Sequence, residues 1–162
     1  MRGADPGTLY WSGAEGRCRA AIVLCPDRPL EAGVVVDLGL LALFDALAVL
    51  APPQVPMRIQ PPDGVSVDGG RVASVRAASG TGLVPDWAVL GIDIAVDSRR
   101  AAPGETPGET CLAEEGLGDV TSAEIVMHFC RHLMGWVDAW HEEGAPALAR
   151  AVGERLSHRS AA

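Results

Sequence analysis

Arg58-Ile59-Gln60-Pro61-Pro62-Asp63-Gly64-Val65-Ser66-Val67-Asp68-Gly69-Gly70-Arg71-Val72-Ala73-Ser74-Val75 is the stretch on which the reading of this chain turns. Two short alternating runs flank a Gly69-Gly70 turn after Asp68, which predicts a tight antiparallel hairpin. Pro61-Pro62 ends the strand before it, because proline has no N–H to give a ladder. Side chains alternate along a strand, so Arg58 and Gln60 fall on one face. Asp68 and Arg71 stand where a cross-strand ion pair could close the turn.

Upstream, Val36, Leu40, Leu43, Phe44, Leu47 and Leu50 recur at steps of three and four and predict a helix from about Leu30 with one apolar face. Asp37 and Asp45 lie off that stripe, and Ala51-Pro52-Pro53 stops it. Before it, Thr8–Trp11 and Arg19–Leu24 read as neighbouring antiparallel strands joined through Ser12-Gly13-Ala14-Glu15-Gly16. Downstream, Trp87–Val96 reads as a strand with Gly91 inside it, the mark of a bulge, a close backbone approach to a ligand, or a packing concession. Residues 97–110 form an expected solvated loop with Pro-Gly-Glu-Thr written twice. Thr121 and Glu124 suit a capping box for a helix that presents Ile125, Phe129, Leu133, Trp136, Val137 and Trp140 to a core and closes at Gly144. A last helix spans about Pro146 to Leu156, before a polar tail over residues 157–162. The order predicts an α+β fold: one domain over residues 1–162, with a largely antiparallel or mixed sheet backed by helices.

Composition narrows the function. The chain has 162 residues, 48% of them hydrophobic, and a net charge of −8. The acidic excess is concentrated in residues 81–162, and the only basic run is Arg99-Arg100. Nucleic acid is therefore a poor partner, since its binding draws on a basic surface. The apolar run Leu30–Leu50 contains Asp37 and Asp45, which argues for a buried helix rather than a membrane span. No secretory signal pattern is visible, and Cys18, Cys25, Cys111 and Cys130 lack metal or disulfide spacing. They read as buried thiols of a cytoplasmic protein. All 13 basic residues are arginine, so no side-chain amine exists for Schiff-base chemistry or self-acylation. His128 and His132, with Glu124 a turn earlier, have a spacing that can chelate, yet a histidine pair on the flank of an apolar stripe more often meets only water, and no metal is assigned. Neither a Gly-x-Ser-x-Gly elbow nor a phosphate loop occurs, and Trp87, Trp136 and Trp140 read as core.

The hairpin resembles the core motif of biotin and lipoate protein ligases, in which a Lys-Trp-Pro-Asn-Asp run leads into a strand, a tight turn and a Val-Ala-Gly strand. Gly91-Ile92-Asp93-Ile94-Ala95 is similar to the family's Gly-Ile-Gly-Ile-Asn strand, and Thr110-Cys111-Leu112 to its Thr-Ser-Leu segment. The resemblance covers roughly residues 8–156. It implies a sheet related to class II aminoacyl-tRNA synthetases. It also implies joining of biotin or a lipoyl or octanoyl acid to ATP, with Mg, and transfer to the lysine of a biotinyl or lipoyl carrier domain. Compared with that pattern, Gln60 stands at the lysine, Asp63-Gly64 at the Asn-Asp, and Ser74 and Asp93 at glycines. Ser12–Arg17 replaces an arginine- and glycine-rich loop and leaves Arg17, with Arg19, as anion donors. By this reading no residue is assigned to catalysis. The ligand-binding set is Arg17, Arg58, Gln60, Asp63, Gly64, Arg71, Ala73, Ser74, Gly91 and Asp93.

Two other readings follow from the same residues. Gln60 suits a non-catalytic module that binds a small molecule or a partner. The start of strand pattern at Thr8, without the family's leading strand and helix, suits a subunit that completes its sheet with another chain.

Overall fold

The structure, a computed structural model, describes residues 4–97 and 108–156. In chain order it contains β1 (Leu9–Ser12), β2 (Arg17–Leu24), α1 (Ala32–Leu50), β3 (Met57–Gln60), β4 (Gly64–Val67), β5 (Gly70–Ser79), β6 (Ala88–Ala95), α2 (Ser122–Glu143) and α3 (Ala145–Leu156). Most of the loop that carries the Pro-Gly-Glu-Thr duplication, and the tail at 157–162, lie outside the described residues.

The six strands form one sheet in the order β1-β2-β6-β5-β4-β3, and each neighbouring pair is antiparallel. The expected α+β class holds, with the sheet antiparallel throughout rather than mixed. Alternation explains its two faces: Cys18, Ala20, Ile22, Ile59, Val65, Val75, Leu90, Ile92 and Ile94 are buried toward the helices. The opposite face carries Arg19, Arg58, Gln60 and Arg76, all exposed.

The β4–β5 connection turns at Asp68-Gly69, one residue earlier than the Gly-Gly reading. Both residues have positive φ, 47° and 88°, the two-residue geometry whose twist suits a hairpin. Asp68 tolerates that region, which frees Gly70 for another task. A Cβ on Gly70 would stand 2.5 Å from Thr110 Cγ2, so the bare backbone admits the segment 108–110. There, beyond the end of β6, Glu109 pairs in parallel with Arg71.

A bulge between Val65 and Ser66 shifts the β4–β5 register, so that Val65 faces Ala73 but Ser66 faces Arg71. Val72 is the extra residue, and Val72 and Ala73 are both buried. By strict alternation Arg71 would share the inner face with Ala73 and Val75; the bulge turns it outward.

α1 lies across β5 and β6 and is flanked by α2 and α3. It departs from the one-faced helix expected: buried residues include Val35, Leu38, Gly39, Leu41, Ala42 and Ala46 as well as Leu40, Leu43, Phe44 and Leu47 of the stripe, while Val36 and Leu50 are only partly buried, because sheet and helices enclose it from several sides. By length and composition it could cross a membrane, but here it is the core helix of the domain. Asp45 accepts from Trp136 Nε1 at 2.8 Å and from Arg155 Nε and Nη2 at 3.1 and 2.9 Å, which ties α1 to α2 and α3.

α2 begins with the expected capping box. Thr121 N–H donates to Glu124 Oε2 at 2.9 Å, and the Glu124 N–H donates to Thr121 Oγ1 at 3.3 Å. The Thr121 hydroxyl, which donates to Glu124 Oε2 at 2.7 Å, and then the Thr121 N–H hold the exposed Glu124 carboxyl below its ordinary value of 4.5. A lowered value in the folded state contributes stability above the ordinary glutamate range and loses it as pH falls through the lowered value. Thr121→Ala is expected to cost about 1 kcal/mol near neutral pH, read as a lowered denaturation midpoint, and to shrink that acid-dependent part. An unchanged midpoint would show the cap to be idle.

Neither Trp87, read as core, nor Cys25, read as a buried thiol, is buried, and Cys130 is only partly buried. Trp87 is 44% exposed in the β5–β6 connection, and Cys25 is exposed just past β2. Trp140 is buried, as expected.

Candidate functional site

Strand register places Ser12, Arg19, Asp93, Ser74, Gly64 and Gln60 in one row that crosses all six strands on the face away from the helices. With strands about 4.8 Å apart, the row runs for roughly 24 Å. Arg17 lies two residues before Arg19, and Gly91 two before Asp93, so both join the same face.

Three of the arginines on this face are paired. Arg17 Nε donates to Asp93 Oδ1 at 2.7 Å, and Arg19 Nε to Asp93 Oδ2 at 3.3 Å. Arg71 Nη2 donates to Asp63 Oδ1 at 2.8 Å, so Asp63, not the expected Asp68, is its ion-pair partner. A Cβ on Gly64 would come within 2.9 Å of Arg71 Cζ; Gly64 is therefore the space in which the guanidinium lies.

Between these pairs is a polar cleft of about 340 Å³. The structure brings Arg17, Asp63, Arg71, Ala73, Ser74 and Asp93 from the sequence reading to its wall, and adds Arg76, Glu109 and Thr110, which that reading missed. Alternation along β5 puts Arg76 on the face of Ser74, whereas nothing local ties Glu109 and Thr110 to it, because β5 meets residues 109–110 only in the folded chain. Arg17 also borders a second cavity of about 330 Å³, formed by the β1–β2 loop, Asp97, Gly118 and Ser122 at the start of α2. Gly16 holds the wall between loop and strand: its φ is 73°, and a Cβ there would lie 2.6 Å from the Asp97 carbonyl oxygen.

Arg58, Gln60, Gly64 and Gly91 are outside the cleft wall. Arg58 shares a face with Gln60, but its Nη2 leans toward Gly69, 3.9 Å from where a Cβ would be. Gln60 ends β3 beside Gly64. Gly91 sits in an unbroken ladder without a bulge, and a Cβ there would meet only carbonyl oxygens, at 3.8 Å.

Beneath Asp93, Cys18 is fully buried and its thiol is 3.7 Å from the Ser122 carbonyl oxygen. Burial pushes the Cys18 thiol up, and the Asp93 charge pushes the same way, so it is a neutral side chain rather than a nucleophile. The His128 and His132 rings stand 6.5 Å apart, and Glu124 is engaged with Thr121. Among the described residues no group of three His, Cys, Asp or Glu side chains could hold a metal ion.

A six-stranded antiparallel sheet backed by three helices is the kind of fold the sequence resemblance implies. Residues 1–152 match the biotin/lipoate A/B protein ligase family. The chain belongs to that family. A curated relative, the biotin–[acetyl-CoA-carboxylase] ligase of Paracoccus denitrificans, is 30% identical over 112 residues, which are 65% of this chain and 47% of the relative. The chain thus spans about half the length of that protein. Among solved structures, a biotin protein ligase-like protein of unknown function from Silicibacter is 28% identical with a TM-score of 0.83, over 96% of this chain and 69% of that one. Biotin protein ligase from Aquifex aeolicus, in complex with biotin and ATP, has a TM-score of 0.76 at 18% identity, over 96% and 71% of the two chains. That last likeness is one of fold.

Proposed function

We propose that this chain is a ligand-binding domain of the ligase family, in which the open face takes a small carboxylic acid of the biotin, lipoyl or octanoyl type together with a nucleotide, and in which acyl adenylation is crippled. The observation that carries this reading is Gln60 at the family's lysine position, in a chain without any lysine. Bringing a carboxylate against an α-phosphate requires fixed positive charge where the two anions meet. The guanidiniums of Arg17 and Arg71 suit one anionic group each, but each is already neutralised by Asp93 or Asp63.

The residues fit a carboxylate or a phosphate better than they fit Mg. Asp63 and Asp93 are held by arginines, and a hard cation needs oxygen ligands that are not so committed. No step is therefore assigned to the metal. The reading places the chain in the cytoplasm, with a biotinyl or lipoyl carrier domain as a candidate partner.

Thermal shift and ATP–pyrophosphate exchange, each measured with biotin, lipoate and octanoate, test it. Stabilisation by an acid or by ATP with exchange at background is the expected result. No stabilisation by any of them would remove the binding claim. Exchange at the rate of an active ligase would favour the second reading, a working ligase, in which Arg71 above Gly64 supplies the charge next to Gln60.

A further inference from the structure

Asp93 is the only described carboxylate for which two ion-paired arginines are found on the open face, and it sits at the middle of the row, between Arg19 on one side and Ser74 on the other. Each of its oxygens takes one guanidinium, through Nε in both cases. That is the arrangement a bound carboxylate or phosphate would make with the same two side chains. All three groups remain accessible, with 40%, 59% and 35% of the Arg17, Arg19 and Asp93 side chains exposed. An anion from solution can therefore reach the arginines, but it must displace or share them with a carboxylate supplied by the chain.

We infer that Asp93 is a specificity-determining residue that acts as a built-in competitor for the Arg17–Arg19 pair and weakens, without abolishing, the hold of the open face on polyanions such as the polyphosphate of a nucleotide. The inference deepens the proposed function and rests on its reading of this face as an anion site. The repulsion is steepest for a multiply charged ligand, because every charge it brings within a few ångströms of Asp93 is opposed. A singly charged acid loses less. The face thereby sorts anions by charge, independently of how the acyl chain is recognised.

Half-exposed pairs of this kind contribute little to stability, so removal of the carboxylate should leave the fold intact. The test titrates inorganic pyrophosphate into the wild-type chain, Asp93→Ala, Asp93→Asn and the double variant Asp93→Ala/Arg17→Ala at one ionic strength, with circular dichroism to verify folding. Both single variants should bind pyrophosphate about tenfold tighter or more than the wild type. The double variant should lose that gain. A folded Asp93→Asn with wild-type affinity, or a gain that survives loss of Arg17, overturns the inference. If neither single variant folds, Asp93 is a structural clamp and the inference also fails. Pyrophosphate probes neither acid recognition nor turnover, so absent acid or ATP binding would defeat the proposed function without altering this outcome.

Discussion

Gln60→Lys should raise ATP–pyrophosphate exchange, with whichever acid stabilises the protein, from background by about 100-fold. A single preorganised donor at a developing charge is worth roughly 2.7 to 4 kcal/mol in the transition state. The position suits the change. Gln60 is exposed at the end of β3, beside Gly64 and in the row that leads through Ser74 to Asp93. A lysine there finds an open face, and Asp63 close by in sequence is already paired with Arg71. Gln60→Arg is the informative control, since the planar fork of arginine carries the same charge on a different geometry. If Gln60→Lys folds, binds the acid and ATP, and still shows no exchange, loss of the ammonium does not explain the missing activity.

Leu90→Ala should be among the most damaging single truncations for stability, at about 2 to 5 kcal/mol. Leu90 is fully buried on β6, and its methyl group occupies the space a side chain at Gly39 would need: a Cβ there would lie 2.6 Å from Leu90 Cδ1. The helix was able to come that close because position 39 has no side chain. Truncation opens a void between α1 and the strand that carries Asp93. For a domain of this size, each kcal/mol is worth about 2 to 4 °C in melting temperature, so a fall of roughly 5 to 15 °C is expected. A drop of less than about 2 °C would show that the helix–sheet contact relaxes without cost.

The parts of this fold visible in the sequence are those governed by neighbours in the chain. The capping box at Thr121, the proline stop after Leu50, the Gly144 terminus and the hairpin around Asp68 each rest on residues a few positions apart, and each formed. What the sequence concealed is non-local. β6 is last among the strands in sequence, yet it lies between β2 and β5, and no pattern within a strand names its partners. The Arg17–Asp93 pair joins residues 76 positions apart, and Arg155–Asp45 joins residues 110 apart. α1 misled for a related reason. A stripe at helical spacing predicts one covered face, whereas enclosure by sheet and helices together erases the difference between faces.

The candidate site divides along the same line. Arg17, Asp63, Arg71, Ser74 and Asp93 were nameable from the resemblance, and they do line one cleft. Their mutual neutralisation was not, because it depends on which strand lies beside which. Arg58 was nameable by alternation, yet alternation fixes only the face and not the direction along the strand in which a long side chain leans.

The extra residue at Val72 makes the length of this ribbon matter more than its lettering. Deleting Gly70 would remove the bulge by setting Val72 opposite Ser66 and Arg71 opposite Val67, and the guanidinium now reaching Asp63 would be driven into hydrocarbon beneath α1. A shift there by a single codon's worth of chain exchanges inside for outside.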